Sequence, residues 1–286
     1  MLWVLFAVFV LLLCVVAVVS RRRLRVEAIY VYPVKSMRGV ALESAVVVDA
    51  LMTGDREFAV VDNSNRILTQ RDKRKLGELQ PQFGSDGLSI IDGDRRIDGI
   101  KSTGATVTAF PRESLEWGNA TVSAVDCGDD VAAFLTESLG RAARLVRARP
   151  RDASAQIHAR FYDGPLIFHD ASPLLVASQQ IPGNFRPNIV VNARGFEEDY
   201  WDEIALGDDL RLRVCKPCHR CVVTAASPGT LEPLTTLRRL DRLAPDVFGA
   251  SPLFGLNCAP IHPGTVRVGD RVVVTRKRRA SWLHLE

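Results

Sequence analysis

The chain has 286 residues, of which 47% are apolar and 24% are charged, with 20 glycines and 15 prolines. This composition is typical of a globular protein and excludes a disordered or fibrous chain. The formal net charge of +4 equals that of Arg21, Arg22, Arg23 and Arg25 alone, and residues 26–275 are slightly acidic, with 29 basic and 32 acidic side chains. A nucleic-acid-binding domain usually carries excess positive charge on its folded body, so this distribution argues against that class.

The N-terminus predicts a membrane anchor. Residues 2–19 form an unbroken run of 18 apolar residues, and a helix of that length spans about 27 Å, close to the hydrocarbon core of a bilayer. A cleaved signal peptide would have a basic start and a shorter apolar stretch, whereas here the arginines follow the run. We therefore expect residues 1–20 to form a retained transmembrane helix, with the arginines and the rest of the chain on the cytosolic side. The favoured location is the mitochondrial outer membrane, with the endoplasmic reticulum as the alternative.

The first half of the remaining chain predicts mainly strands. Short apolar or β-branched runs predict strands at residues 26–31, 45–48, 58–61 and 142–148, and a turn at 62–65 predicts a hairpin between 58–61 and 67–69. Apolar residues at i, i+3, i+4 and i+8 from Val131 predict an amphipathic helix. We expect Asp129 or Asp130 to cap this helix and Gly140 to end it.

The second half follows a polar, turn-rich stretch at residues 149–164, which we interpret as a link or mobile loop. The strands predicted beyond it are at residues 189–191, 210–214 and 222–224. Residues 231–243 predict a helix, and residues 266–274 predict a hairpin around Gly269 and Asp270. These elements together predict a β-rich α+β protein.

Cys215, Cys218 and Cys221 lie close together, whereas the other three cysteines are isolated. This clustering indicates chemistry in a reducing compartment rather than a disulfide framework. Two Cys-x-x-Cys steps with His219 would suit zinc, but a structural zinc site usually recruits a second, distant pair. An iron–sulfur cluster would need a fourth thiolate. The remaining interpretations are a single thiolate ligand or nucleophile, favoured by the neighbouring Arg220, and plain burial of small apolar side chains.

Basic side chains lie at the ends of several predicted strands. They are Lys35, Arg56, Arg71, Arg186 and Arg220. Arginine and lysine bind phosphate through charge-assisted hydrogen bonds, so this set predicts an anionic, phosphate-bearing ligand. The residues by themselves thus indicate a thiol beside an anion site.

The same segments resemble the MOSC superfamily, in its form with an N-terminal β-barrel domain, from about Val26 to Val274. The motifs that carry the resemblance are Tyr32-Pro-Val-Lys35-Ser36, Asp55-Arg56, Thr69-Gln-Arg71, Asp170-Ala-Ser172-Pro173, Asn184-Phe-Arg186-Pro-Asn188, Trp201-Asp-Glu203, Cys218-His-Arg220-Cys221, Ser251-Pro-Leu-Phe254-Gly255 and Val268-Gly-Asp270. Together with the anchor, they are most similar to the mitochondrial amidoxime-reducing branch.

The resemblance implies a molybdenum cofactor, in which molybdopterin and a protein cysteine hold the metal. Cys221 matches the molybdenum ligand and catalytic position. The residues that match positions binding the pterin and its phosphate are Lys35, Ser36, Arg56, Ser172, Arg186, Asn188 and Arg220, with Arg71 and Asp170 as additional candidates. The family also has a weak association with pyridoxal phosphate. In one departure from the family, only residues 174–183 separate two of the motifs, where the resembled proteins have a full helix. Cys215 lies outside the family pattern and is interpreted as structural.

The implied function is a membrane-anchored reductase of N-hydroxylated substrates of the amidoxime type. Its electrons would come from cytochrome b5 and an NADH-cytochrome b5 reductase, and no nucleic acid is expected as a partner. The alternative is a sulfur carrier or cofactor-sulfurase-like module with a persulfide on Cys221. The expected organisation is an anchor (1–20), an N-terminal MOSC β-barrel-like domain (21–150), a C-terminal MOSC β-barrel domain (151–276) and a basic tail (277–286).

Overall fold

The computed structural model describes residues 23–102, 104–110, 121–149, 162, 164, 166–178, 185–221, 223–224 and 251–278. Within these ranges, no helix is long and apolar enough to cross a membrane. The predicted anchor, the predicted helix at residues 231–243 and most of the predicted link at residues 149–164 lie outside them.

Strands dominate the described residues, so the β-rich α+β prediction is confirmed. The elements in chain order are β1 (Val26–Val31), β2 (Val40–Leu42), β3 (Ser44–Val48), β4 (Leu51–Met52), β5 (Phe58–Val61), β6 (Gln80–Gly84), β7 (Gly87–Asp92), β8 (Arg95–Ile100), β9 (Thr106–Ala109), β10 (Val122–Asp126), α1 (Asp129–Leu139), β11 (Arg144–Ala148), β12 (Leu174–Ala177), β13 (Ile189–Val191), β14 (Trp201–Leu206), β15 (Leu210–His219), β16 (Leu253–His262), β17 (Gly264–Arg267) and β18 (Val272–Lys277). Short 3₁₀ turns cover Arg74–Gly77 and Glu197–Tyr200.

The largest sheet combines both ends of the chain. Its eight strands run in the order β18-β14-β15-β16-β12-β13-β1-β2, and β1 pairs antiparallel with β13. A second sheet pairs β3 with β17. The first four strands therefore pair into the C-terminal half, and they share a hydrophobic core with it. The domain boundary predicted at residue 150 stays a prediction.

The middle of the chain forms two smaller sheets, β5-β11-β10-β9 and β6-β7-β8. The helix α1 packs here through the predicted apolar stripe, with Val131, Phe134, Leu135 and Leu139 buried. Gly140 ends it in the left-handed conformation, at φ 61°, which costs glycine no Cβ clash. The predicted acidic cap is wrong, because the N-cap is Gly128 and Asp129 lies in the first turn.

Three predictions in the second half of the chain differ from the structure. The strand predicted at residues 210–214 continues to His219, because Pro217 falls at a register shift where β15 needs no regular ladder bond. The strand predicted at 222–224 is wrong, since Thr224 turns back and its backbone N–H donates to the Cys221 carbonyl at 3.0 Å. The hairpin predicted at 266–274 is also wrong, because β17 pairs with β3 and β18 pairs with β14.

The hairpin predicted at residues 58–69 is reduced to a turn and a single bridge. Asp62 shapes the turn, accepting bonds from the backbone N–H groups of Ser64 at 2.9 Å and Arg66 at 3.1 Å. Beyond it, only the bridge between Val61 and Ile67 forms. The strand β5 instead pairs with β11, which supplies the continuous partner.

Candidate functional site

Three of the predicted basic residues, Lys35, Arg56 and Arg186, meet near the carboxyl end of β1. The backbone N–H of Lys35 donates to Phe58 at 2.8 Å, and that of Arg56 donates to Tyr32 at 2.8 Å. On the other side of β1, the Tyr30 N–H donates to the Asn188 carbonyl at 2.8 Å. The segment after β1 thus lies between the segments that carry Arg56 and Asn188.

Arg56 is buried and held by two partners. Its guanidinium pairs with the buried carboxylate of Asp55 and donates to Asn188 Oδ1 at 3.2 Å. Asp55 Oδ1 also accepts the Tyr32 backbone N–H at 2.7 Å. Burial alone would raise the pKa of Asp55, but Arg56 and His169 lower it from 3.8 to about 2. Asp55 is therefore an anion inside the fold.

His169 completes the surroundings of Asp55. Its Nε2 lies 3.3 Å from Asp55 Oδ2, and its Nδ1 accepts the Ile167 N–H at 3.4 Å. Burial lowers the pKa of this imidazole, and the nearby Arg56 and Lys35 act in the same direction. A neutral ring with its proton on Nε2 fits this arrangement.

Lys35 contacts the segment before β12. Its ammonium donates to the Phe168 carbonyl at 2.9 Å and to Asp170 Oδ1 at 2.5 Å. Partial desolvation by the surrounding groups would raise the pKa of Asp170, but Lys35, Arg56 and Arg186 together hold it well below its usual range. Three cations thus act on one carboxylate, although 74% of its side chain is accessible.

Arg186 differs from the other two cations because it forms no ion pair with a described residue. Its guanidinium donates to the Met37 carbonyl and lies 4.1 Å from the centre of the Tyr32 ring. Burial lowers its pKa to about 10, and the neighbouring Arg56 adds to that effect. The protein therefore holds a partly buried positive charge that forms no ion pair with a carboxylate of the described residues.

The backbone is strained at these positions. Ser36, Arg56 and Arg186 have φ values of 68°, 50° and 55°, in the left-handed region that side chains with a Cβ adopt only at a cost. Such strain persists where surrounding contacts over-determine it, and it is common at ligand-binding sites.

Asn188 and Ser172 face inward. Asn188 Oδ1 accepts both Arg56 and the Leu175 N–H, the latter at 3.0 Å. The Ser172 hydroxyl contacts the Leu174 carbonyl at 3.0 Å and Asn257 Oδ1 at 3.1 Å. These contacts hold the residues at the starts of β12 and β13. Both side chains therefore have a structural role next to the cations.

Arg220 and Cys221 follow the end of β15, and Cys218 is among the last residues of that strand. Residues 218–221 are called the cysteine segment below. Arg220 is buried, with Nη1 donating to Cys218 Sγ at 3.0 Å and Nη2 donating to the Phe185 carbonyl. Its Nε is buried and has no hydrogen-bond partner among the residues that the structure describes. Cys221 is half-buried, and its carbonyl accepts the Thr224 hydroxyl at 2.7 Å. Because Phe185 precedes Arg186, Arg220 links the segment of Cys221 to the basic residues.

Two protein-family models match this chain. The MOSC N-terminal beta barrel domain matches residues 23–142, and the MOSC domain matches residues 166–273. The chain belongs to the MOSC family. It is 30% identical to mouse mitochondrial amidoxime-reducing component 1, over 88% of this chain and 84% of that protein. The human protein of the same name is 28% identical over 88% of this chain and 85% of its own length. Human molybdenum cofactor sulfurase is 26% identical over 68% of this chain and 26% of that protein.

The described residues of this MOSC protein fit an anionic cofactor. Among the described residues, Lys35 pairs with Asp170 and Arg56 pairs with Asp55, whereas Arg186 pairs with no carboxylate, so three cations stand beside two carboxylates. Burying an unpaired cation is costly, and a bound phosphate would offset that cost. The unpartnered Nε of Arg220 is a further donor beside the cysteines. No group of three or more His, Cys, Asp or Glu side chains in the described ranges could hold a metal ion by itself.

The structure does not bring every predicted residue to the basic cluster, which consists of Lys35, Arg56 and Arg186. Arg71 is exposed, and its backbone N–H donates to the Thr69 hydroxyl at 3.3 Å. The neighbouring Gln70 is buried and donates to the Ser36 carbonyl at 2.7 Å. Between described residues, no contact joins the Cys221 thiol directly to the cluster. The sites predicted from the sequence therefore stay predictions as ligands, although most of them are neighbours.

Tyr32, Asp55, Gln70 and His169 were missed as site residues. Tyr32 and Asp55 lie inside the motifs that carry the resemblance, adjacent to the basic side chains. Their position in the motifs was a usable signal. Nothing in the sequence near His169 pointed to the buried pair with Asp55.

Proposed function

We propose that this MOSC protein is a molybdenum-cofactor reductase that removes the oxygen of N-hydroxylated compounds such as amidoximes. The observation that carries the proposal is the positive charge of Arg186, whose neighbour Phe185 is hydrogen-bonded to Arg220, the residue before the half-buried thiol of Cys221. The similarity to amidoxime-reducing components over most of both chains supports the same reaction class.

In this proposal, different residues bind different parts of the cofactor. Lys35, Arg56 and Arg186 would bind its phosphate and pterin by charge-assisted hydrogen bonds. Cys221 would supply the thiolate ligand, and thiolates suit a soft metal centre. When bound, the cofactor supplies the two-electron redox chemistry. Asn188 and Ser172 would hold the residues that precede β13 and β12. Arg220 would keep the cysteine segment close to the basic cluster.

The overall reaction would consume two electrons and two protons for each N–O bond, and would yield the amidine and water. Cytochrome b5 and an NADH-cytochrome b5 reductase would deliver the electrons. An apolar N-terminal anchor, formed by residues 1–20, would hold the protein on a membrane. The location that we propose is the mitochondrial outer membrane, and two relatives named as mitochondrial proteins support a mitochondrial location.

Metal and activity measurements test this proposal. We expect the purified full chain to contain about one molybdenum atom per chain, and to reduce an aromatic amidoxime when it is supplied with reduced cytochrome b5. Cys221→Ser should abolish reduction, whereas Cys215→Ala, on the buried strand β15, should retain both metal and activity. An equally active Cys221→Ser protein with full metal content would refute the assignment.

The second candidate is a sulfur carrier, favoured by the similarity to molybdenum cofactor sulfurase over 68% of this chain. A persulfide on Cys221 would then be the active species. Mass spectrometry of the purified chain would distinguish the candidates. Transferable sulfur on Cys221 without molybdenum supports the carrier, and molybdenum without a persulfide supports the reductase.

A further inference from the structure

Two guanidinium groups lie against the same aromatic ring. The centre of the Tyr32 ring is 4.8 Å from Arg56 Cζ and 4.1 Å from Arg186 Cζ. Both distances fall within the range of an attractive cation–π contact. The arginines come from segments more than a hundred residues apart, so the ring is where the two cations meet.

Two hydrogen bonds hold Tyr32 in place, one at its backbone and one at its hydroxyl. The Tyr32 backbone N–H donates to Asp55 Oδ1 at 2.7 Å, beside Arg56. The phenol hydroxyl donates to the Pro187 carbonyl at 3.0 Å, beside Arg186. Tyr32 is thus tied to the residue adjacent to each arginine, and it is almost fully buried, at 6% exposure.

The two arginines are not equivalent. Arg56 is neutralised by Asp55 and held by Asn188 Oδ1, whereas Arg186 has a backbone carbonyl as its hydrogen-bond partner and no described carboxylate in an ion pair. Like charges so close repel each other. The contact of both guanidinium groups with the Tyr32 ring offsets part of this repulsion, and the charge of Arg186 pairs with no described carboxylate.

We infer that Tyr32 is a positioning residue, an aromatic platform that holds Arg56 and Arg186 together so that both can bind one phosphate dianion. The inference deepens the proposed function and rests on it, because the phosphate would be that of the cofactor. A phosphate oxygen beside each guanidinium would compensate the charge that Arg186 now carries unpaired. Tyr32 itself needs no contact with the phosphate.

Inorganic phosphate is the probe that tests the platform. The full chain is produced in a host that cannot make molybdopterin, and phosphate binding is measured by calorimetry. Tyr32→Leu, which removes the ring, should weaken binding by about tenfold. Tyr32→Phe keeps the ring and should bind within about twofold of the parent chain, because the hydroxyl only ties the backbone of Pro187. Tyr30→Leu, two residues earlier on β1, is the matched control and should bind like the parent.

A double-mutant cycle separates positioning from general damage. In the Arg186→Gln background, Tyr32→Leu should cause little further loss, because one of the two groups that the ring holds is gone. An equal loss in both backgrounds, or parent-like binding by Tyr32→Leu, would overturn the inference. So would a parent chain that binds no phosphate.

Spectroscopy gives an independent readout that needs no destabilised variant. Binding of phosphate to the two guanidinium groups should perturb the near-ultraviolet absorption of Tyr32. The difference spectrum should vanish in Tyr32→Phe. No change in the parent chain at saturating phosphate would count against the platform. A chain that shows these effects but acquires no molybdenum in a competent host would refute the proposed function alone. A molybdenum-loaded chain that is insensitive to Tyr32→Leu would refute the platform alone.

Discussion

Arg220 and Phe185 join two parts of the candidate site that lie far apart in the chain. The Arg220 guanidinium donates to the Phe185 carbonyl, stacks at 4.9 Å from the Phe185 ring and donates to Cys218 Sγ at 3.0 Å. The planar fork of arginine can satisfy both acceptors at once, which a lysine ammonium on a flexible stem cannot reproduce.

Arg220→Lys should therefore loosen the cysteine segment. We expect the free energy of unfolding to fall by about 2 kcal/mol, since a buried carbonyl loses its donor. We expect the molybdenum content to fall by at least about tenfold, because Lys lacks the bidentate geometry. Chemical denaturation and metal analysis measure the two effects. Arg211→Lys is the matched control, because Arg211 also donates to carbonyls at the start of β15. Unchanged metal content in Arg220→Lys would contradict the prediction.

Arg186→Gln should separate binding from stability. Removing the cation should lower the affinity for inorganic phosphate by at least about tenfold, because a charge-assisted bond is lost. The free energy of unfolding should stay within about 1 kcal/mol of the parent value or rise, because the lost charge is desolvated and faces Arg56. Calorimetry and thermal unfolding test both parts. The exposed Arg194→Gln is the control. A large loss of stability in Arg186→Gln would show that its charge is compensated.

Asp55 predicts a pH dependence of stability. Its pKa falls from 3.8 to about 2 on folding. A depressed pKa stabilises the fold above the unfolded value, and the contribution is lost as pH falls from about 4 towards about 2. The contribution above that window is about 2 kcal/mol. Asp55→Asn should therefore be less stable at neutral pH, and its unfolding free energy should fall less steeply between pH 4 and pH 2 than that of the parent chain. Denaturant unfolding over this pH range, with the exposed Asp86→Asn as control, tests the prediction. Parallel curves for Asp55→Asn and the parent would contradict it.

Gly255 lies on β16, opposite the strand that leads to Cys221. Its φ is 74°, and a Cβ there would stand 2.9 Å from the Val176 carbonyl oxygen. Gly269 has a similar φ of 87°, but open space lies around its Cβ position. Both Gly→Ala variants should be destabilised by backbone strain, and Gly255→Ala should lose at least about 1 kcal/mol more. Thermal unfolding of the pair isolates the clash. Equal losses would show that β12 can move away without cost.

Strand positions were predictable from the sequence wherever apolar periodicity was strong. The bounds of β1, β5 and β13 match the prediction, because β5 and β13 are short runs of buried apolar residues and β1 buries Val26, Ile29 and Val31. The end of β15 was not predictable, because Lys216, Pro217 and Cys218 lack a strand pattern and pair only through the shifted register with β16. The hairpin predicted around Gly269 failed for a related reason. A turn signal does not specify which strands pair, and both arms found partners elsewhere.

The sequence by itself determined the residue types that a thiol-and-anion site needs, along with most of the short strands that position them. Its motifs also pointed to the MOSC family, which the comparisons show. Only the tertiary structure decided how the charges pair. Arg56 reaches Asn188 across 132 positions, and Arg186 reaches Met37 across 149. Whether a cation is neutralised or left in excess depends on these long-range neighbours and on burial. The spacing of residues along the chain specifies neither the long-range neighbours nor the burial. The contact of Tyr32 with both arginines was therefore visible only in the tertiary structure.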